Sequence, residues 1–446
     1  MNIVLVIGIL LILGLMSTRV MKIFKLPNVT GYLIIGLLVA LGCVLADSLS
    51  NNALGLTKEL NDLNEFISNI ALGFIALSIG EEFRLSKIKK YGMKIVSITF
   101  LQAILAVILV DALLIGVCLL LNLPLEIALC LGAIATATAP AATIMVINQY
   151  KAKGPLVDLL LPVVAFDDAI GLIVFAISVS IGKVMATDTP ITIVSICLLP
   201  LLEIVGSLAI GFILGYFMHL MIKFFKSRNN HVVLILAFTL LGVGICACLN
   251  QLKIDGEPLE FSNLLCCMMI GATYINIARP SEKDIVERDF SLVERWTPFL
   301  FMLFFVLSGA HLVTSAKSMI DTGVSLGIVA LIFACYLVMR SLGKYVGAYI
   351  GCKATHRSKH ITRYLGITLL PQAGVAIGMA NQISGMEAFK ASGAGNIIVT
   401  VVLCATLVYE LVGPLLTKWS LNKAGEIPDV NGIYPYESDP EYRNEK

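Results

Sequence analysis

Thirteen apolar stretches, each long enough to cross a bilayer, follow one another along this 446-residue chain with short polar connections between them. They cover roughly residues 2–24, 29–46, 63–83, 95–121, 125–148, 155–182, 191–222, 231–249, 261–278, 296–315, 322–350, 362–385 and 394–419. Hydrophobic residues make up 58% of the chain and charged residues only 14%, against roughly 25% charged in a soluble domain. Lipid offers no partner to a bare backbone N–H or C=O, so spanning segments of this kind must be helices. The predicted fold class is therefore an all-α polytopic membrane protein with 13 transmembrane helices. A formal net charge of +2 gives no basis for nucleic-acid binding. The membrane part is expected over 1–421, with 422–446 as a short, disordered cytosolic tail.

The basic residues of the connections orient the chain. Odd-numbered connections hold 21 lysines and arginines, among them Arg19, Arg84, Lys151, Lys223, Arg279 and Arg357. The even-numbered ones hold five: Lys58, Lys183, Lys253, Lys317 and Lys390. Positive charge stays on the cytoplasmic side, which puts the N-terminus outside and the C-terminus inside a plasma membrane. The first segment has no basic lead-in and no clear cleavage site, so it reads as a retained helix. The eleven cysteines are mostly scattered within apolar runs, and the Cys266-Cys267 pair lacks metal-site spacing.

Two adjacent carboxylates, Asp167 and Asp168, interrupt the run from Leu156 to Ile181. They stand about ten to twelve residues into that run, which begins just after Lys151 and Lys153, roughly 15–18 Å at a helical rise and near the middle of a hydrocarbon core about 30 Å thick. Charge is expensive at that depth and marks an ion or proton pathway. Two other segments are poor continuous helices. The fifth carries Thr136-Ala137-Thr138-Ala139-Pro140 and the twelfth Leu370-Pro371-Gln372-Ala373-Gly374. A proline there withholds a backbone donor, and neighbouring hydroxyls can satisfy the freed groups. The breaks lie seven segments apart, an odd number, so the corresponding segments run in opposite directions. Paired interruptions in inverted halves point to a transporter's binding site. Inverted repeats are predicted over about 1–182 and 231–421, joined by a linker helix at about 191–222. Arg340 in segment 11 is also near the midplane, and its expected partner is one of the two aspartates. Lys344, one turn on, can snorkel to the surface. Gly343, Gly347 and Gly351 form a close-packing face, as do Gly211 and Gly215. Glu81 and Glu82 beside Arg84 suggest a rim ion pair, while Asp158, Asp111, Glu203 and Glu410 are weaker site candidates.

Together, Phe166-Asp167-Asp168-Ala169-Ile170-Gly171-Leu172, the Thr136–Pro140 break, Tyr150-Lys151-Ala152-Lys153-Gly154-Pro155 and the Leu370–Gly374 break resemble the monovalent cation/proton antiporter superfamily. The nearest likeness is to bacterial sodium/proton exchangers of the NapA type, over essentially the whole membrane chain. The resemblance implies two inverted six-helix repeats with crossed broken helices (NhaA/NapA-like), a dimerising scaffold and a mobile core. It implies exchange of Na+ (or Li+ or K+) for protons in pH homeostasis, with no enzymatic step and no cofactor. Asp168 is implied as the residue that binds the transported Na+ or the proton, Asp167 as the partner of Arg340, and Thr138 as an oxygen donor beside the crossing. Arg340 departs from the lysine that many two-aspartate members carry, which bears on stoichiometry because a guanidinium keeps its proton. A sodium-coupled symporter of a small organic anion on the same scaffold is the alternative, and it predicts a substrate-sized cavity. An aspartyl protease fits poorly, since adjacent side chains on a helix diverge by about 100°.

Overall fold

The computed structural model describes residues 3–24, 28–49, 55–186, 199–225, 227–251, 253–254, 257–258, 261–279, 282–321, 325–429 and 433–438. At 82, 86–91, 140–142, 145, 148, 165, 168, 169, 199, 200, 253, 254, 257, 258, 283 and 319–321 only the backbone is described. Apart from one pair of two-residue strands, β1 (Lys253–Ile254) and β2 (Glu257–Pro258), these residues form helices and connections. Nine helices among them are long and apolar enough to cross a membrane.

The chain begins with α1 (Ile3–Phe24), α2 (Asn28–Leu49), α3 (Leu56–Glu82) and α4 (Leu85–Leu121). Asp47 near the end of α2 caps α3, accepting from the backbone of Leu56 at 3.0 Å and Thr57 at 2.8 Å. The first broken segment follows as α5 (Glu126–Ile134) and α6 (Pro140–Tyr150), and then α7 (Pro155–Ala186) carries the aspartates. Next come α8 (Leu199–Ile222), α9 (Arg228–Leu249) and α10 (Asn263–Ile277). After α11 (Lys283–Trp296) run α12 (Pro298–Asp321) and α13 (Leu326–Ala354). The second broken segment is α14 (Lys359–Thr368) and α15 (Gly374–Gly385); the short α16 (Glu387–Ala391) and α17 (Ala394–Lys423) complete the helices.

Packing is most extensive within two sets. In one, α12 lies on α2, and α10 lies on α3 and α8. In the other, α13 lies along α4, α5 against α7, and α15 against α17. The glycine stripe of α13 explains its closeness to α4. A Cβ on Gly343 would stand 2.5 Å from Ala106 Cα, and one on Gly347 would stand 2.5 Å from Gln102 Cα. Without side chains there, two backbones gain the van der Waals contact that drives helix association in lipid.

Two regions depart from expectation. Residues 279–295, expected as a basic connection, contain α11, an amphipathic helix whose Val286, Phe290 and Val293 are buried. Its Asp289, also fully buried, accepts from Tyr274 at 2.8 Å and lies 2.9 Å from Nδ1 of His231, whose Nε2 is 2.7 Å from the Phe225 carbonyl. This single carboxylate ties α11 to both α9 and α10. The start of the supposed free tail is folded. Glu426 is buried, and its carboxylate accepts from the first N–H groups of α7, Leu156 at 2.5 Å and Val157 at 2.9 Å. Tyr434 reaches back to the Lys151 carbonyl at 2.9 Å. A helix N-terminus has unpaired donors and a positive end, which a buried carboxylate satisfies together. Glu426→Ala is expected to lower stability by about 2 kcal/mol, the upper range for a lost cap, with partial recovery in Glu426→Gln. Thermal unfolding of the purified protein in detergent checks it.

Candidate functional site

Both predicted breaks are real interruptions, and they cross. Helix α5 ends at Ile134 and α6 begins at Pro140, while α14 ends at Thr368 and α15 begins at Gly374. At the crossing the Ala139 N–H donates to the Pro371 carbonyl at 2.9 Å. Gln372 donates to the Ile134 carbonyl at 3.0 Å and exchanges hydrogen bonds with Tyr336. Thr136 turns its hydroxyl onto the Ala133 carbonyl at 2.7 Å. These bonds supply what the prolines and the missing turns withhold, and the surrounding protein replaces the absent water.

Two half-helices thus end at one place, with unsatisfied carbonyls and the negative ends of their dipoles converging. Arg340 of α13 answers both. One guanidinium nitrogen donates to Leu370 O at 2.8 Å and another to Ala137 O at 2.7 Å, and the group lies 4.4 Å from the centre of the Tyr409 ring. A planar fork with several donors suits a task that joins two fixed acceptors.

The expected Asp167–Arg340 pair does not form. Asp167 is fully buried and pairs instead with Lys344, whose ammonium stands 2.6 Å from Oδ2 and is itself fully buried. Lys344 also donates to Thr138 Oγ1 at 3.0 Å and to the Thr136 carbonyl. Arg340 and Lys344 sit one turn apart on the face of α13 that meets the crossing. The guanidinium spans the two carbonyls, and the compact ammonium is left to the carboxylate. The same contact removes the snorkelling role for Lys344. Asp167 accepts two more hydrogen bonds, from the Thr138 hydroxyl and from the Gln102 amide of α4. Gln102 is fully buried, and its Oε1 has no hydrogen-bond partner among the described residues.

Asp168 occupies the next position of α7, and its side chain lies outside the described residues. One turn beyond Asp167, a Cβ on Gly171 would stand 2.7 Å from Thr136 Oγ1, so α7 passes directly against the first break. Thr136, Thr138, Pro371, Gln372 and Gly374 belong to the crossing, and Pro140 starts α6 there with only its backbone described. Glu203 lies away from the crossing, 3.0 Å from Ser180 Oγ and 3.9 Å from Lys183. Sequence reasoning missed Gln102, Tyr336 and Tyr409. Gln102 had a signal, being a lone amide inside an apolar run, whereas nothing local marks the tyrosines.

A cavity of about 640 Å³ opens at the other end of the two sets, where α3, α10 and α17 begin and α9, α12 and α15 end. Its lining includes Asp62, Glu65 and Glu387, the amides of Asn64 and Asn381, and His311. Asn381 of α15 donates to Ser308 Oγ of α12 at 3.1 Å and to Ser68 Oγ of α3 at 3.4 Å.

Residues 7–423 match the family model described as sodium/hydrogen exchanger, transmembrane. The chain belongs to the sodium/hydrogen exchanger family. Among curated relatives it is 23% identical, over 304 residues and 68% of each chain, to the ammonium/H(+) antiporter subunit AmhT of Alkalihalophilus pseudofirmus. Among solved structures it is similar to the sodium proton antiporter MjNhaP1 from Methanocaldococcus jannaschii at pH 8, with a TM-score of 0.68 and 17% identity. That match covers 95% of this chain and 98% of the other. An electron-microscopy map of the same antiporter gives a TM-score of 0.63 at 15% identity, covering 94% of this chain and 98% of the other. An exchanger of this family is a multi-pass membrane transporter of cations and protons, in line with the helices and the buried charges.

Proposed function

We propose that this chain exchanges a monovalent cation for protons by alternating access, and that the two compete for the Asp167–Asp168 pair of α7. The observation that carries the reading is Asp167, buried at the crossing of two broken helices and held by Lys344, Thr138 and Gln102. A cation without its water needs oxygen ligands, and Asp168, Thr138 and freed carbonyls are the candidates. A proton neutralises the same carboxylates. When the loaded forms cross and the empty charged form does not, transport is obligatory exchange. Lys344 compensates Asp167 and Arg340 the carbonyls, and the family resemblance assigns the cargo's charge to Asp168. The cargo ions are substrates, and no cofactor takes part.

On this reading thirteen spans form inverted repeats over about 1–182 and 231–421. A scaffold of α1–α3, α8–α10 and α12 dimerises, and a core of α4–α7, α13–α15 and α17 moves against it. The N-terminus is outside the plasma membrane and the C-terminus inside, so the 640 Å³ cavity faces outward. Its size would suit a small organic anion, but Asp62, Glu65 and Glu387 outnumber the cationic Lys390, which pairs with Glu387 at 3.2 Å. That lining favours cations over the symporter alternative. The test is reconstitution into vesicles with a pH-reporting dye inside, under imposed gradients of Na+, K+, Li+ and NH4+. Proton movement driven by at least one of these cations supports the reading. Sodium-driven uptake of an organic anion without proton movement would overturn it.

A further inference from the structure

We propose that Phe83, in the two-residue joint between α3 and α4, is the gate that closes the ion site at its cytoplasmic end, with Arg84 holding it shut. This rests on the alternating-access reading above. The joint connects the two packing sets: α3 belongs to the first and α4 to the second. Phe83 leaves the helical region with φ −79° and ψ 56°. Its ring meets Phe166 of α7 edge-on, with centroids 5.9 Å apart and planes at 79°. Phe166 is the residue immediately before Asp167, and it is buried in a separate apolar cluster with Ile95, Val146, Leu160 and Leu365. That cluster fills the end of the protein opposite the 640 Å³ cavity.

Helices α10 and α11 pin the joint. Asn276 of α10 donates to Phe83 O at 2.8 Å and accepts from Leu85 N at 2.8 Å, so one amide secures the backbone on both sides of Arg84. Arg84 donates to Glu287 of α11 and stands 3.4 Å from Glu81. Helix α11 is in turn fixed through Asp289. The first set therefore presents Phe83 as a fixed edge, and the second presents Phe166 as the surface that seats against it. Movement of the second set toward the cytoplasm must part the two rings, and parting them uncovers the face of α7 next to Asp167. The aromatic contact thus weights the population toward the state closed on this side.

The test compares the full chain in everted and right-side-out membrane vesicles, measuring the apparent KM for the driving cation at each face. Removing a contact made only in the cytoplasm-closed state shifts the population the other way. In Phe83→Ala the KM at the cytoplasmic face should fall and the KM at the outer face should rise, the two factors multiplying to about three- to tenfold, the range expected for losing one aromatic pair. Glu287→Gln, a change at a half-exposed rim residue, should move both values in the same directions by less. The exchanged pair Arg84→Glu with Glu287→Arg should return them toward wild type. A residue with only a structural role would lower the maximal rate at both faces and leave KM alone. Unchanged KM values in Phe83→Ala and Glu287→Gln, or equal changes at both faces, would overturn the gate. If wild type itself shows no cation-driven proton movement, the exchange reading fails, and that outcome differs from wild-type exchange with unshifted variants.

Discussion

Lys344→Ala is expected to destabilise the protein by about 3–5 kcal/mol, the range for removing one partner of a buried ion pair. Asp167 would keep its bonds from Gln102 and Thr138 but lose the cation it touches among the described residues, and the Thr136 carbonyl would lose a charged donor. The double change Asp167→Asn with Lys344→Gln should be less damaging, since neither charge is then stranded. Arg340→Ala acts differently, because it leaves Asp167 paired and instead uncaps both half-helices at Ala137 and Leu370. Arg340→Lys should not rescue that loss, as a single ammonium cannot bridge two carbonyls with a fork's geometry. Thermal unfolding in detergent separates these cases. Equal melting temperatures for wild type and Lys344→Ala would mean that the ion pair contributes nothing.

Asp168→Asn is expected to abolish cation-dependent proton movement while leaving the protein folded. The amide removes the charge for which proton and cation compete, at nearly unchanged volume, and the Asp167–Lys344 pair stays in place. The loss should be complete within detection rather than partial, because a carrier with a neutral amide at this position binds neither the proton nor the cation there. Near wild-type proton movement by purified Asp168→Asn would move the cargo site elsewhere.

Features written in consecutive residues were legible in advance. A proline among threonines and alanines, or Pro371 followed by Gly374, interrupts a helix for local reasons, and both interruptions lie where expected. The partner of Asp167 was not legible. Arg340 and Lys344 are one turn apart on one helix face, and only the placement of two carbonyl ends at the crossing decides which cation goes where. Glu426 caps α7 from about 270 positions away, a contact that no local pattern encodes. Helix α11 did leave a signal in Val286, Phe290 and Val293, spaced four and three apart as on one helical face. It is obscured by the many charges of the segment, which resemble those of a basic cytoplasmic loop.

Competition at one site can be read from cation uptake by reconstituted protein, with the apparent KM and maximal rate measured across a series of fixed pH values. If cation and proton exclude each other at the aspartate pair, KM rises as pH falls, approaching about tenfold per pH unit in the acid range where the site is mostly protonated. The maximal rate then stays constant, since enough cation displaces the proton. A maximal rate that falls with pH at constant KM would contradict the account, because the proton would then be acting somewhere other than the cation's own site.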